Sequence, residues 1–193
     1  MKIAIDIDNT ICETSLYFSD IAIKYDREYL HKNSKIDFSK MLPRSEEWTS
    51  EEFRYYIDNI FNNEVINIPI KDQVSYYINK LKDRGCIITF ITTRGEKSDD
   101  KSATFTEEYL NKHNIPYDNL IMGVRDKYKY IDGYDFFIDD SVSECEKALS
   151  NLNCKVIMMK SVNNAEYQND KLHIASNWEE IYDYIIKNSD LED

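Results

Sequence analysis

Glycine is scarce in this chain of 193 residues: there are four, at 85, 95, 123 and 133. None follows the first apolar run, and no two stand close enough for G-x-G-x-x-G or a Walker P-loop. A classical dinucleotide enzyme and a P-loop kinase are therefore excluded. G-x-S-x-G and H-E-x-x-H are also missing, which removes the serine-elbow hydrolases and the zincins. Positive charge is short as well. Lys and Arg number 24 against 36 Asp and Glu, a net charge of −12 with no basic run. That excludes a non-sequence-specific nucleic-acid groove and a binder of anionic membranes. A small anionic substrate stays possible, because a metal and a few local cations reverse the field locally. No apolar run approaches membrane-spanning length, and the N-terminus carries acids where a signal peptide needs an apolar core. The cysteines at 12, 86, 145 and 154 show no C-x-x-C spacing, and Cys86 and Cys154 each open an apolar run, so packing is their expected role. A reduced, cytoplasmic setting is the expectation.

What is present starts at the N-terminus, Met1-Lys2-Ile3-Ala4-Ile5-Asp6-Ile7-Asp8-Asn9-Thr10. The β-branched run reads as a strand apolar on both faces, as in the middle of a parallel sheet. It ends in two carboxylates at i and i+2, which share one face of a strand and emerge together at its C-terminal end. In open α/β sheets that edge binds ligands. Side-by-side anions repel unless a cation or a shared proton compensates them. An ordinary strand-to-turn boundary is the bland alternative, since Asp and Asn are common there.

Residues 14–29 have helical spacing (Phe18, Ile21, Ala22, Tyr25, Tyr29). Thr49-x-x-Glu52 is a capping box that opens a second helix with Phe53, Tyr56, Ile57, Ile60 and Phe61 on one face, fading at Asn62-Asn63. This stretch predicts an all-helical, aromatic insert over 14–67 with no strand in it. Pro69 is predicted to start a third helix that stops at Arg84-Gly85, where a C′ glycine follows a charged turn. Cys86–Ile91 is a second buried strand, closing on Thr92-Thr93-Arg94-Gly95. Thr104-x-x-Glu107 is predicted to cap a helix to about His113, and Leu120-Ile121-Met122 to be a short strand. A helical turn is expected from Lys127 to Ile131. Tyr134–Ile138 is a strand that runs into Asp139-Asp140, and Val156–Met159 another, with a helix to about Leu149 between them. Ser176-x-x-Glu179 is expected to cap the last helix, with Trp178, Ile181, Tyr182 and Ile185 inward.

Strands alternating with helices predict an α/β fold with a doubly wound parallel sheet. The expected organisation is a core of residues 1–13 and 68–193, with 14–67 inserted as a small α-helical cap. Asp6, Asp8, Thr92 or Thr93, and Asp139 all end strands at the same edge.

These residues carry a resemblance. Asp6-Ile7-Asp8-Asn9-Thr10 is similar to D-x-D-x-T, the first motif of the haloacid-dehalogenase (HAD) superfamily of phosphotransferases. Thr92, or Thr93 beside it, stands where the family has the hydroxyl that closes strand two. Lys127, within Arg125-Asp126-Lys127, stands at its third-motif lysine, and Asp139-Asp140 after Phe136-Phe137-Ile138 resembles its acidic fourth motif. The four come in family order and span nearly the whole chain. The insert takes the C1-type cap position of a Rossmann-like core. Ile91-Thr92-Thr93-Arg94 and His113-Asn114-Ile115-Pro116-Tyr117-Asp118 carry a closer resemblance to bacterial nucleotidases related to 5′(3′)-deoxyribonucleotidases.

The resemblance implies a Mg²⁺-dependent phosphomonoester hydrolase with a small phosphorylated substrate, a nucleoside monophosphate favoured. Asp6 would be the nucleophile that forms an aspartyl-phosphate, and Asp8 the acid and then the base. Asp6, the backbone carbonyl of Asp8, and Asp139 would hold Mg²⁺ in an octahedron of oxygens. Thr92 and Lys127 would bind phosphate oxygens, with Asn9, Thr10, Thr93, Arg94 and Asp140 around the substrate. Thr92 and Thr93 face opposite ways, so one is core-facing, and Thr92 is favoured for the site. Lys127 is favoured over Lys129 on motif spacing. Arg94 is either a substrate-phosphate contact or a loop arginine. Trp48, off the periodic face, is the best candidate for stacking on a base, although aromatics at helical spacing usually form core. Other readings keep the mechanism with a sugar phosphate as substrate, or make the chain a phosphate-binding protein without turnover. A signalling receiver is disfavoured because its phosphoacceptor stands on a middle strand.

Overall fold

The computed structural model describes residues 1–95 and 102–190. In chain order the first elements are β1 (Lys2–Ile5), α1 (Thr14–Lys24), β2 (Ile36–Asp37), β3 (Arg44–Ser45), α2 (Ser50–Tyr55), α3 (Asn62–Glu64) and α4 (Val74–Asp83). They are followed by β4 (Ile87–Ile91), α5 (Ser102–Lys112), β5 (Asn119–Ile121), β6 (Phe136–Asp139), α6 (Val142–Asn151), β7 (Lys155–Met159), β8 (His173–Ala175) and α7 (Trp178–Lys187).

β1 is central because almost nothing on it tolerates water: Ile3, Ala4 and Ile5 are fully buried, as is Ile7 just beyond it. Each such isoleucine contributes roughly 1.5–3 kcal/mol of burial. It pairs in parallel with β4 on one side (Ile5 opposite Phe90) and β6 on the other (Ile5 opposite Ile138). The six-stranded sheet has the order β5-β4-β1-β6-β7-β8, all parallel. The chain moves outward from β1 through β4 and β5, then crosses back to β6, so the strand order reverses at β1. Alternate residues serve opposite faces. Ile3, Ile5 and Phe90 pack with α4, α5 and α7, and with Phe18, Tyr56 and Phe61 of the insert. Ala4, Ile91 and Phe137 pack with α6 through Cys145 and Ala148. The sheet is therefore covered on both faces, the α/β doubly wound arrangement expected.

Several local expectations need correction. The insert is not wholly helical, because β2 and β3 form a two-residue antiparallel ribbon. α1 continues into a wide turn over Tyr25–Tyr29, and α2 through a similar turn to α3 and a last 3₁₀ turn at Val65–Asn67, beyond Asn62-Asn63. Thr49 and Glu52 do form the reciprocal capping box, with Glu52 N to Thr49 Oγ1 at 3.2 Å and Thr49 N to Glu52 Oε2 at 2.7 Å. α4 starts at Val74 rather than at Pro69, because 69–71 instead line up beside the first loop: Glu13 N donates to Pro69 O and Lys71 N to Ile11 O, both at 2.9 Å. Thr104 stands inside α5, already under way at Ser102. The last cap is Asn177, whose Oδ1 accepts from Glu180 N at 2.9 Å, one residue later than Ser176-x-x-Glu179. β8, short and at the sheet margin, has no counterpart in the sequence reading.

Within the insert, Trp48 is 7% exposed and packs edge-on against Tyr25 and Tyr56, at 5.0 and 5.3 Å between ring centroids. Its Nε1 donates to Asp26 Oδ1 at 2.7 Å, and Ser34 N donates to Asp26 Oδ2 at 2.8 Å. Trp48 therefore belongs to the core of the insert and is not a free stacking platform.

Candidate active site

β1 carries Asp6 to the C-terminal edge, where Asp6 N donates to Ile138 O at 2.8 Å. That register sets Asp139, the last residue of β6, beside it. The chain then turns over 7–11, with Ile11 N bonded to Ile7 O at 3.0 Å and Asn9 at φ 60°. Asparagine accepts this left-handed conformation because its amide bonds locally. Asn9 Oδ1 accepts from Ser15 N at 2.8 Å, and its Nδ2 donates to Ser15 Oγ at 2.9 Å. Thr10 is fully buried and donates its hydroxyl to Asp6 Oδ2 at 3.2 Å. Its side chain thus orients Asp6 and is not on the cavity wall.

Lys127 opens a 3₁₀ turn (Lys127–Tyr130), entered through Asp126 at φ 50°. α6 fixes this turn: Lys127 N donates to Glu144 Oε2 and Lys147 Nζ to Asp126 Oδ1, both at 2.7 Å. Lys127 Nζ then reaches Asp6 Oδ1 and, at 2.7 Å, Asp139 Oδ2. Lys129 is exposed and pairs with Asp126 at 2.9 Å, away from the acids.

Carboxylate oxygens of Asp6, Asp139 and Asp140 lie within 4.8 Å of one another, all three residues deep in the protein. One lysine does not neutralise three such anions. Burial raises the Asp6 carboxyl well above its ordinary range; Lys127 pulls it down, while Asp139, Asp140 and Asp8 push it further up. Asp139 is raised by burial against the pull of Lys127. Asp140 is pushed up to about 7, by burial first and by Asp139 next. A set of hard, mutually repelling oxygens suits a small divalent cation that prefers oxygen ligands. The donor set therefore fits Mg²⁺. Its third carboxylate is Asp140. The side chain of Asp8 is engaged elsewhere.

Asp8 is held by Arg94. Arg94 Nε donates to Asp8 Oδ2 at 2.9 Å and Nη2 to Oδ1 at 2.6 Å, and Thr14 Oγ1 donates to Oδ1 at 2.6 Å. Burial acts to raise Asp8, but the Arg94 charge and these bonds win and hold it below the usual carboxylate range. Arg94 is itself buried and does not reach the cavity wall, so its placement with the substrate contacts is corrected.

A cavity of about 420 Å³ opens above these acids. Of the residues expected from sequence, Asp6, Asp8, Asn9, Thr93, Lys127, Asp139 and Asp140 line it. Thr92 does not: it is fully buried and its Oγ1 accepts from Arg94 N at 3.2 Å. Of the two threonines it is Thr93 that stands on the wall, the reverse of the expectation. Met41, Ser141, Glu144 and Asn163 also line the cavity and went unnoticed. Ser141-x-x-Glu144 has the sequence form of a capping box, and Ser141 Oγ does accept from Glu144 N at 3.4 Å, so that pair was readable. Met41 and Asn163 lie in loops and leave no pattern. They are tied through Ser15, whose Oγ donates to Met41 O at 3.0 Å and accepts from Asn163 Nδ2 at 2.9 Å.

A doubly wound sheet whose switch-point strand ends in a lysine-bridged cluster of aspartates is the frame of a HAD-type phosphatase. Solved structures share the fold. A predicted phosphatase from Clostridium acetobutylicum superposes at TM-score 0.69 with 15% identity, over 96% of this chain and 98% of that one. A HAD-superfamily hydrolase from Ehrlichia chaffeensis superposes at 0.59 with 14% identity over 96% of each chain. CbbY from Rhodobacter sphaeroides, solved with xylulose-(1,5)bisphosphate, does so at 0.58 with 13% identity, over 92% of this chain and 94% of that one. No curated protein matches the chain by sequence. The family described as 5′ nucleotidase, deoxy (pyrimidine), cytosolic type C (NT5C) matches residues 1–191, and the chain belongs to it. It is a phosphatase. Among the described residues no helix is long and apolar enough to cross a membrane.

Proposed function

We propose that the chain is a Mg²⁺-dependent 5′-nucleotidase that hydrolyses (deoxy)nucleoside monophosphates through an aspartyl-phosphate on Asp6. The observation that carries this reading is Lys127 Nζ joined to both Asp6 and Asp139 at the cavity floor, with Asp140 alongside. Phosphoryl transfer needs charge neutralisation and in-line positioning more than unusual reactivity. Asp6, Asp139 and the backbone carbonyl of Asp8 would hold Mg²⁺, with Asp140 as a further oxygen or a partner of its waters. The ion would supply charge stabilisation of the phosphoryl oxygens.

The chain's own groups carry the steps. An Asp6 carboxylate oxygen bonds to phosphorus as the bond to the leaving oxygen breaks, and Asp8 gives that oxygen a proton. Water then bonds to phosphorus as the Asp6 carboxylate leaves, and Asp8 takes the proton of the water. Lys127 and the Thr93 hydroxyl bind the other phosphoryl oxygens. Thr10 keeps Asp6 oriented. Residues 14–67 act as a cap that selects the substrate, with Met41 as its contact on the cavity wall.

A second reading, a sugar phosphate as substrate, has one observation in its favour. Among the described residues no aromatic side chain lines the cavity, whereas Ser141, Ser143, Glu144 and Asn163 offer hydrogen bonds. A panel of phosphomonoesters assayed for Mg²⁺-dependent phosphate release separates the two. Nucleoside monophosphates, deoxy forms foremost, should give the highest kcat/KM; a sugar phosphate ahead of every nucleotide would replace the first reading by the second.

A further inference from the structure

Asp8 is a heavily occupied carboxylate. A carboxylate offers about four lone-pair directions. Arg94 Nη2 and Thr14 Oγ1 take two on Oδ1, both at 2.6 Å, and Arg94 Nε takes one on Oδ2 at 2.9 Å. One direction is left, on Oδ2. Arg94 is 3% exposed and absent from the cavity wall, so it is not there to meet a substrate. Nor is it placed to satisfy itself: its buried Nη1 has no acceptor among the described residues, and its guanidinium lies 5.8 Å from the Tyr109 ring centre. A buried guanidinium with one arm unpartnered is costly, and a point charge would neutralise Asp8 as well. What only arginine adds is the rigid fork, which fixes the plane and rotation of the carboxylate it grips.

We infer that Arg94 is a positioning residue for the proton transfers at Asp8, and that its fork leaves Oδ2 as the oxygen through which they pass. At rest Asp8 is the carboxylate that Arg94 and Thr14 grip. It takes a proton on Oδ2, from solvent or from the water step of the turnover before, and gives it to the leaving oxygen as the bond from that oxygen to phosphorus breaks. In the second half-reaction the same lone pair takes the proton of the water as the water oxygen bonds to phosphorus and the Asp6 carboxylate is released. This rests on the roles proposed above for Asp6 and Asp8. Thr14, the first residue of α1, reinforces the grip from the insert side.

The test compares Arg94→Lys with the unaltered protein in Mg²⁺, on p-nitrophenyl phosphate, whose leaving group needs no proton, and on a nucleoside 5′-monophosphate, whose leaving group does. Arg94→Lys keeps the charge but not the fork. It should lower kcat for the nucleotide about 100-fold with KM changed less than about threefold. Phosphoenzyme formation from p-nitrophenyl phosphate should change less than about threefold, and acid quench should show the phosphoenzyme accumulating because the water step has slowed. In an Asp8→Asn background the same substitution should add less than about twofold, since the group it positions is gone. Thr14→Val leaves Arg94 in place and opens a second lone pair on Oδ1. It should give the same signature at about tenfold, and it keeps the test available if the lysine variant does not fold. Equal losses in phosphoenzyme formation from both substrates, no loss on either, or an undiminished loss in the Asp8→Asn background would overturn the inference and leave the role of Asp8 standing. If Asp8→Asn itself slowed phosphoenzyme formation from both substrates alike, the proposed role of Asp8 would fail and the inference with it.

Discussion

Asp26 in the proposed cap and Asp6 at the sheet edge are both withdrawn from water, at 2% and 4% exposure, and their surroundings differ in kind. Asp26 receives the Trp48 indole N–H and the Ser34 backbone N–H, with Lys32 nearby. Burial opposes its charge, but these bonds hold its carboxyl below the ordinary range. Its negative charge is satisfied, and it ties the loop around Ser34 and Trp48 to α1. Asp6 has Lys127 and Thr10 on one side and Asp139 and Asp140 on the other, and its carboxyl is held above the ordinary range. The first arrangement stabilises a fold. The second stores repulsion that a cation relieves, and a perturbed cluster of this sort in a cavity marks chemistry.

The contrast breaks most completely on removing the metal. Excess chelator should reduce phosphate release to background and leave the cap untouched. Mg²⁺ should restore activity and Ca²⁺ should inhibit, because Ca²⁺ takes more ligands in a looser geometry. Full turnover in chelator would remove the metal assignment. Next in size is Lys127→Met. Losing a preorganised cation at the developing charge should lower kcat by roughly 10²–10³-fold. Leaving the aspartates unpaired should destabilise the metal-free protein by about 3–5 kcal/mol in urea unfolding. A variant as stable as the parent would show that the cluster is not under repulsion.

The smallest effect belongs to the cap. Asp26→Asn keeps the shape but weakens charge-assisted bonds, and should cost about 2 kcal/mol. It should leave turnover of p-nitrophenyl phosphate within about threefold, because no group at the sheet edge changes. The pH dependence has a definite sign. A carboxyl lowered on folding contributes stability above its unfolded pKa, about 3.9, and that contribution is lost as pH falls through the lower folded value. The gap in Tm between parent and Asp26→Asn should therefore be full at neutral pH and close below about pH 4. A gap that widened in acid would contradict the assignment of Asp26 as a stabilised anion.

The same two regions differ in how far they could be read from the sequence. The sheet edge was legible because strand ends announce themselves: an apolar run stops and polar residues follow, three times over, at Asp6, Thr92-Thr93 and Asp139. Which threonine faces the cavity was not legible. Alternation ends with β4 at Ile91, and the turn after it, where Arg94 N bonds to Thr92 Oγ1, decides the matter. The partnership of Arg94 with Asp8 joins residues 86 apart in the chain, and no periodicity reports such a contact. In the cap, Trp48 looked available because it lies off the helical face. Its partner, Asp26, sits 22 residues earlier and takes it into the interior. β8 escaped notice because His173–Ala175 is three residues long, with a single fully buried side chain at Ala175.

The central claim is that the repelling cluster at the sheet edge contains a nucleophile, Asp6, with Asp8 as a separate proton carrier. Intact-protein mass spectrometry after rapid acid quench, on Asp6→Asn and Asp8→Asn mixed with p-nitrophenyl phosphate and Mg²⁺, tests it most directly. A good leaving group needs little protonation, so Asp8→Asn should still be phosphorylated and should then hold the phosphate, lacking its base. Asp6→Asn should carry none. A phosphate adduct on Asp6→Asn would contradict the account.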